Sequence, residues 1–202
     1  MKLSEPLINY IRWKGYKLKL NLSFDTILTI YEVWQDRGLL DTDKLTLTMD
    51  MLIKNRRVLK RIPLTEQNKL LIYIFKTFIN TGNKAQQKKA EPTYDFIQDA
   101  SFIFASFFMD YGIDLIKAQG RLDWRKFIAL FSGLSDNTQM REIMSIRARP
   151  LPKPTKYNAE EIRALKEAKQ YYALNFSFSE REENLQSGLD NLFASLKARA
   201  QK

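Results

Sequence analysis

Residues 100–131 read ASFIFASFFMDYGIDLIKAQGRLDWRKFIALF, and this stretch decides the fold because it carries two aromatic stripes at helical spacing. The first stripe consists of Phe104, Phe107, Phe108 and Tyr111. The second follows Gly112 and consists of Trp124, Phe127, Ile128 and Phe131. Residues spaced i, i+3, i+4 and i+7 share one face of an α-helix, so the stretch predicts two helices. Such stripes are far more often core than base-stacking platforms. We therefore expect one intramolecular core built from Phe104, Phe107, Phe108, Trp124, Phe127 and Phe131.

Two short runs near the N-terminus predict a β-hairpin. Residues 8–13 and 16–20 are rich in aromatic and aliphatic side chains, and only Lys14-Gly15 separates them. A two-residue connection that contains glycine is typical of hairpins. In the second run Tyr16, Leu18 and Leu20 alternate with lysines. One face of that strand is therefore expected to point toward a core and the other toward water.

Three helices are predicted between the hairpin and residue 80, each with apolar residues at helical spacing. The first is capped by Ser23 and stopped by Gly38, and its face carries Ile27, Ile30, Tyr31 and Trp34. The second follows Asp41 and carries Leu45, Met49, Leu52 and Ile53. The third starts near Thr65 and carries Leu71, Ile74, Phe75 and Phe78.

The C-terminal part predicts a helix over residues 138–147, a stiff connector and two last helices. Pro150, Pro152 and Pro154 end the first of these helices, because proline neither donates a backbone hydrogen bond nor tolerates a helical predecessor. Each of the last two helices is predicted to begin with a capping box. The residue pairs are Asn158 with Glu161 and Ser179 with Glu182.

The final helix carries a coiled-coil-like seam, which makes it a candidate partner-binding element. The candidate residues are Leu185, Leu189, Leu192, Phe193 and Leu196. Two interpretations stay open: a terminal helix packed on its own body, and a helix that the proline connector lets swing out to a partner.

Together these elements predict a mainly α fold, a helical bundle with a small N-terminal β-hairpin and an extended C-terminal helical region. We divide the chain into an N-terminal lobe at residues 1–80, a flexible linker or loop at 81–93, an aromatic helical core at 94–149, and a proline connector with the C-terminal helices at 150–202. The linker follows from its glycine, proline, glutamine and lysine content without a large apolar residue.

The composition removes most catalytic designs. The chain has no cysteine and no histidine, which excludes disulfides, thiolate nucleophiles, the usual zinc ligands and every Ser-His or Cys-His arrangement. Carboxylate-only or Ser-Lys chemistry stays open, yet no motif supports it. We expect no enzyme activity, no catalytic, metal or cofactor-binding residue, and no cofactor. Charged residues make up 28% and no apolar run is long enough for a membrane helix, so we expect a cytoplasmic protein without membrane contact.

A formal net charge of +10 raises the question of an anionic partner. The densest basic group reads as a short loop and consists of Lys54, Arg56, Arg57, Lys60 and Arg61. We call these residues the candidate basic patch. Runs of charge are usually solvated surface, so we interpret the patch as solvated surface and not as a nucleic-acid site. The other basic residues are mixed with acidic ones in the sequence. The sequence alone therefore does not favour nucleic acid as a partner.

A family resemblance rests on the central stretch and its flanks. The residues that carry it are Asp99-Ala100, Ile103 to Phe108, Tyr111 to Leu115, Trp124 to Phe127, Ala129 to Phe131, Gly133-Leu134, Ile143-Met144 and Arg147. In order and spacing they resemble the bacteriophage gene-product-fifteen family of siphophages and prophages of Gram-positive bacteria. The helix entry Ser23-Phe24-Asp25-Thr26 is similar too, so the resemblance covers most of residues 8–174.

That resemblance implies a role in building a long, non-contractile phage tail. Members of the family are generally encoded just before the tape measure protein, a position typical of tail assembly chaperones. The implied partners are the tape measure protein, which the chaperone keeps soluble, the tail tube protein and further copies of the chain. The implied location is the cytoplasm of the bacterial host, with the chain absent from the mature virion. Alternatives are a structural tail or connector component and, less favoured, a basic nucleic-acid-binding phage protein.

Overall fold

A computed structural model describes residues 3–80 and 93–200, and it confirms a mainly α fold with one N-terminal hairpin. The hairpin strands are β1 (Tyr10–Trp13) and β2 (Tyr16–Lys19). The α-helices are α1 (Phe24–Gln35), α2 (Asp41–Leu52), α3 (Leu64–Ile74), α4 (Ala100–Tyr111), α5 (Trp124–Ser132), α6 (Gln139–Ala148), α7 (Ala159–Tyr171) and α8 (Phe178–Ala200). A 3-10 helix at Arg56–Arg61 precedes α3, and a π-helical turn at Phe75–Ile79 continues it.

The described residues form two compact units, and neither is contiguous in sequence. The first consists of residues 3–80, 118–129 and 181–200, and the second of residues 93–117 and 130–180. The predicted segments 94–149 and 150–202 are therefore each divided between the units. The segments are divided because residues 118–129 and α8 pack with the N-terminal elements. These contacts join residues that are distant in sequence, so a division into consecutive segments could not predict them. The predicted linker at 81–93 lies outside the described residues except for Thr93.

The hairpin forms where the sequence places it. Lys14 and Gly15 have φ angles of 45° and 85°, so both turn residues are left-handed and the turn matches the twist of the strands. Ile11 pairs with Leu18 in the register, and both side chains are buried. A further single bridge joins Leu20 to Ile53.

The three predicted helices of the first unit are confirmed, with α1 packed on α2 and α2 on α3. The indole N–H of Trp34 donates a 2.8 Å hydrogen bond to Thr48 Oγ1, which ties α1 to α2. The cap differs from the prediction. Ser23 precedes α1 but makes no side-chain cap hydrogen bond, because its hydroxyl contacts the side chains of Asn21 and Thr26.

Residues 118–129 complete the first unit. The backbone N–H of Phe24 donates to the Leu122 carbonyl at 3.0 Å, and that of Trp124 donates to the Leu22 carbonyl at 2.7 Å. The ring of Phe127 stacks on Phe24 at 4.9 Å and on Trp124 at 5.7 Å. These contacts seat the start of α5 on the entry to α1.

In the second unit α4 packs on α6, and α6 packs on α7. An aromatic cluster there has Phe96 at its centre, 4.8 Å from Phe131 and 4.5 Å from Phe178. The expectation that six rings form one core is wrong. Phe127 belongs to the first unit and Phe131 to the second, while Phe108 is 57% exposed. Because α4 is apolar on nearly every face, helical spacing could not identify the face that is buried.

The capping boxes of the last two helices are a second correction. Asn158 precedes α7 without a side-chain cap hydrogen bond, since its amide bonds back to Lys153 and Thr155. The box that opens α8 is formed by Ser177 and Glu180, two residues earlier than predicted. Ser179 lies inside the first turn of α8, where it cannot occupy the cap position.

Candidate partner-binding surfaces

Helix α4 presents an exposed apolar face in the second unit. Phe108 is 57% exposed and Met109 is 63% exposed, and Ile116, a few residues beyond the helix, is 66% exposed. Phe104 is half-buried, and its ring stacks on that of Phe108 at 6.4 Å with planes 9° apart. Large apolar side chains that gather on one surface commonly mark interaction sites. We call Phe104, Phe108 and Met109 the α4 apolar face.

The α4 apolar face is held by a firmly anchored helix. On the opposite side of α4 the buried Ser106 accepts a 3.1 Å hydrogen bond from the Met140 backbone N–H. Near the C-terminal end Asp110 accepts hydrogen bonds from the backbone N–H and the hydroxyl of Ser135, at 2.7 and 2.9 Å. Gly112 then ends the helix with a left-handed φ of 63°. A fixed apolar helix face of this kind suits packing against an apolar helix of a partner.

The sequence interpretation missed this surface because it assigned Phe104 and Phe108 to the core. One signal was available. Asp110 is the only charged residue of α4, so the helix has no polar stripe that could face water along its whole length. A helix that is apolar all round is either fully buried or leaves an apolar face for something else to cover. In this unit only Ile103, Ser106 and Phe107 of α4 are buried.

The leucine seam of α8 is covered by its own chain. The exposed fractions of Leu185, Leu189, Leu192 and Leu196 are 1%, 0%, 2% and 9%. Within the first unit, Asn68 donates a 3.1 Å hydrogen bond to the Leu189 carbonyl, and the ammonium of Lys69 lies 5.9 Å from the centre of the Phe193 ring. In this conformation the seam has a structural role. A partner could reach Leu185, Leu189, Leu192 and Leu196 only after α8 leaves this position, whereas Phe193 is half-buried.

The predicted basic patch is exposed, but it is not a loop. Arg56–Arg61 forms a 3-10 helix, with Leu59 buried beneath it. Lys54, Arg56, Arg57, Lys60 and Arg61 are all exposed. The segment is fixed to the hairpin, because the Lys54 backbone N–H donates to the Lys19 carbonyl at 2.9 Å. The structure thus brings the patch beside the lysines of β2. The expectation that the other basic residues are mixed with acidic ones is wrong for this part of the chain, because no Asp or Glu lies between Glu5 and Asp25.

A cleft of about 680 Å³ lies between α6 and α7 in the second unit. Its charged lining has both signs: Asp136, Arg141, Glu142, Arg149 and Glu161. Arg141 pairs with Asp136 at 3.3 Å. Among residues 3–80 and 93–200, no group of three or more acidic side chains is placed to hold a metal ion. The cleft provides no arrangement that points to a reaction class.

Residues of the central sequence pattern have clear structural partners. The hydroxyl of Tyr111 donates to the Leu130 carbonyl at 2.9 Å, which joins the end of α4 to the end of α5. The carboxylate of Asp114 accepts hydrogen bonds from the backbone N–H groups of Ile116 and Lys117, at 3.0 and 3.1 Å. The Lys117 N–H is the main cause of a lowered pKa at Asp114. These contacts organise the turn that follows α4.

The chain was compared with known protein families, curated proteins and solved structures. The family model described as Bacteriophage Gp15 protein matches residues 3–174, which is most of the chain up to the start of α8. No curated protein and no solved structure shows a significant match. None of the described helices is both long and apolar enough to cross a membrane.

Proposed function

The chain belongs to the bacteriophage Gp15 protein family, and on that premise we propose that it is a tail assembly chaperone that binds the tape measure protein. The observation that supports this proposal is the α4 apolar face, with Phe108 and Met109 both more than half exposed. A long apolar helical chain aggregates in water unless its apolar face is covered. The α4 apolar face offers such a cover without any chemical step, so the proposed activity is binding and not catalysis.

The size of the face predicts how binding works. Burying a fully exposed large apolar side chain contributes about 1.5–3 kcal/mol, and Phe108 and Met109 are 57% and 63% exposed, so with part of Phe104 they supply roughly 2–4 kcal/mol. Association alone costs at least about 4 kcal/mol, so a single copy binds weakly. Many copies along one tape measure chain would hold it together through multivalency. We therefore propose that the chain coats its partner in several copies and is displaced when tail tube protein polymerises.

This proposal places the chain in the cytoplasm of the bacterial host during assembly and outside the mature virion. The experiment that tests it is co-expression with the tape measure protein of the same phage. The wild-type chain is expected to raise the soluble fraction of the tape measure protein and to co-purify with it. Immunodetection is expected to find no copies in finished particles. A chain that is retained in the particles would instead be a structural tail or connector component.

A variant pair locates the interaction. Phe108→Ser with Met109→Ser removes the centre of the α4 apolar face. The matched control is Leu151→Ser with Tyr157→Ser, which removes two other exposed apolar side chains of the same unit, 46% and 97% exposed. The first double variant is expected to lose the solubilising effect and the control to keep it. Equal activity in both would show that α4 is not the contact, and failure of the wild-type chain would refute the chaperone role.

A further inference from the structure

The outer face of the hairpin carries an arrangement of like charges that folding alone does not favour. In the register of β1 and β2, Arg12 lies directly opposite Lys17, and Tyr10 lies opposite Lys19. All three cations are exposed, on the face opposite the buried Ile11 and Leu18. Like charges directly opposite each other on a two-stranded ribbon are destabilising. A bound anion would remove that cost.

A second cationic segment is built onto the same ribbon. Asn55 joins them, because its side chain accepts a 2.9 Å hydrogen bond from the Lys19 N–H and donates one of 2.9 Å to the Lys17 carbonyl. Lys54 is fixed by its own backbone bond to Lys19. The 3-10 helix Arg56–Arg61 follows at once and is short, so its cations stay near the ribbon. The combined surface, which we call the basic platform, consists of Arg12, Lys17, Lys19, Lys54, Arg56, Arg57, Lys60 and Arg61.

The basic platform has one sign of charge. No Asp or Glu occurs between Glu5 and Asp25 or between Asp50 and Glu66. Glu66 at the margin is already paired with Lys14 at 2.9 Å and with Lys69 at 2.8 Å. No ion pair among the described residues uses any member of the basic platform. Like charges that are gathered without acidic partners repel one another, and such groups are often interaction surfaces.

We infer that the basic platform binds the phosphate backbone of a nucleic acid without reading its sequence. A phosphodiester chain carries one anion at every nucleotide, which suits several exposed cations on adjoining segments, and release of its counterions drives binding. Half of the platform cations are arginines, whose planar guanidinium groups can hold phosphate oxygens in pairs. An acidic protein segment carries its carboxylates at intervals among other side chains and matches such a surface less well.

One aromatic ring strengthens the choice of nucleic acid. Tyr10 is 47% exposed on the outer face of the ribbon, and the ammonium of Lys17 lies 4.8 Å from the centre of its ring. Exposed rings placed among cations allow bases to stack while the cations follow the backbone. An acidic peptide gains nothing comparable from such a ring. This inference is independent of the proposed chaperone role, which rests on the α4 apolar face in the other unit.

The test compares two triple variants of the full chain in fluorescence anisotropy with labelled single-stranded and duplex oligonucleotides. The platform variant is Lys19→Gln, Arg56→Gln and Arg57→Gln. The control is Lys153→Gln, Lys156→Gln and Lys166→Gln, which removes the same charge from exposed positions of the second unit. From about 50 to 200 mM salt, the wild-type affinity is expected to fall steeply. The platform variant should weaken binding about tenfold or more and lower the salt slope by about 2–3, while the control stays near wild type.

A measurement on the wild-type chain covers the case in which the platform variant does not fold. Saturating oligonucleotide is expected to protect Lys17, Lys19, Lys54 and Lys60 from acetylation, detected by mass spectrometry, and to leave Lys153 and Lys156 reactive. Protection of all lysines alike, or equal weakening in both triple variants, would reduce the effect to net charge and overturn the inference. Tighter binding to polyglutamate than to either oligonucleotide would also overturn it and would assign the platform to an acidic protein.

Discussion

Arg147 and Asp99 form an ion pair that is almost completely buried in the second unit, with side-chain exposures of 6% and 1%. Two parallel hydrogen bonds of 2.6 and 2.8 Å join the guanidinium to the carboxylate. Arg147 also donates to the carbonyl groups of Tyr172 and Thr93, at 2.6 and 2.9 Å. One side chain thus connects the end of α6 to the start of α4 and to the end of α7. Both residues belong to the sequence pattern that first indicated the family.

Breaking this pair from one side is expected to be costly. Arg147→Met leaves the Asp99 carboxylate buried without its partner, and the free energy of unfolding should fall by about 3–5 kcal/mol. Urea denaturation followed by circular dichroism measures the change. The double variant Arg147→Met with Asp99→Leu removes both charges and should recover part of the loss. A single variant as stable as wild type would show that the pair is solvated and not buried.

Phe127 and Phe108 came from the same aromatic pattern but should respond oppositely to truncation. Phe127 is 1% exposed and stacks on two other rings, so Phe127→Ala is expected to cost about 3–5 kcal/mol of stability. Phe108 is 57% exposed, and Phe108→Ala should change stability by less than about 1 kcal/mol. Thermal denaturation measures the stability of both variants, and only Phe127→Ala should show a clearly lower melting temperature. Equal losses would mean that Phe108 is buried in solution.

That contrast shows what the sequence could and could not predict about the fold. Alternation identified the hairpin correctly, and helical spacing identified helices such as α1, which has one clearly apolar face. The same reasoning failed for α4, where apolar residues surround the helix and only tertiary packing selects Phe107 over Phe108. The sequence also predicted the capping box of α8 at Ser179 instead of Ser177. Both serines precede a glutamate by three residues, so the sequence pattern does not distinguish them.

The candidate surfaces depended even more on tertiary structure. The leucine spacing of α8 was recognised correctly, but spacing does not say whether a helix covers its own chain or a partner. The sequence could not predict the basic platform as one surface. Its two segments lie more than thirty residues apart in the chain, and the Asn55 side chain joins them only in the folded structure. Contacts between distant segments therefore decide both surfaces.

The capping box of α8 gives a prediction for pH. The Ser177 backbone N–H donates to the Glu180 carboxylate at 2.5 Å and is the main cause of a pKa at Glu180 below its ordinary value. A carboxyl whose pKa is lowered by folding contributes stability above its unfolded pKa and loses it as the pH falls through the folded pKa. Glu180→Ala should therefore cost about 1 kcal/mol or less near pH 7, and this difference should shrink below about pH 4.

The control for that experiment is Glu183→Ala, which removes another exposed glutamate of α8 without touching Ser177. Stabilities of the wild type and both variants are compared by urea denaturation across the acidic range. A wild-type advantage over Glu180→Ala that stays constant with pH would contradict the role of the ionised carboxylate. A pH dependence of equal size in Glu183→Ala would assign the effect to the general charge of the helix start.

Gly188 tests whether α8 lies against α1 in solution. A Cβ atom added at Gly188 would lie 2.8 Å from Cε3 and Cζ3 of Trp34, whose indole is buried and hydrogen-bonded to Thr48. Alanine is the better helix former by about 1 kcal/mol. Overpacking typically costs about 1–3 kcal/mol, so we expect Gly188→Ala to lower the melting temperature despite that gain.

Ser187→Ala provides the comparison, because Ser187 is exposed on the same helix and its replacement should leave stability nearly unchanged or slightly raised. If Gly188→Ala is instead more stable than wild type, the helix does not pack on Trp34. The seam of Leu185, Leu189, Leu192 and Leu196 would then be free to meet a partner, and α8 would replace α4 as the first surface to test against the tape measure protein. A loss of stability confined to Gly188→Ala keeps the seam inside the first unit and leaves the α4 apolar face as the proposed contact.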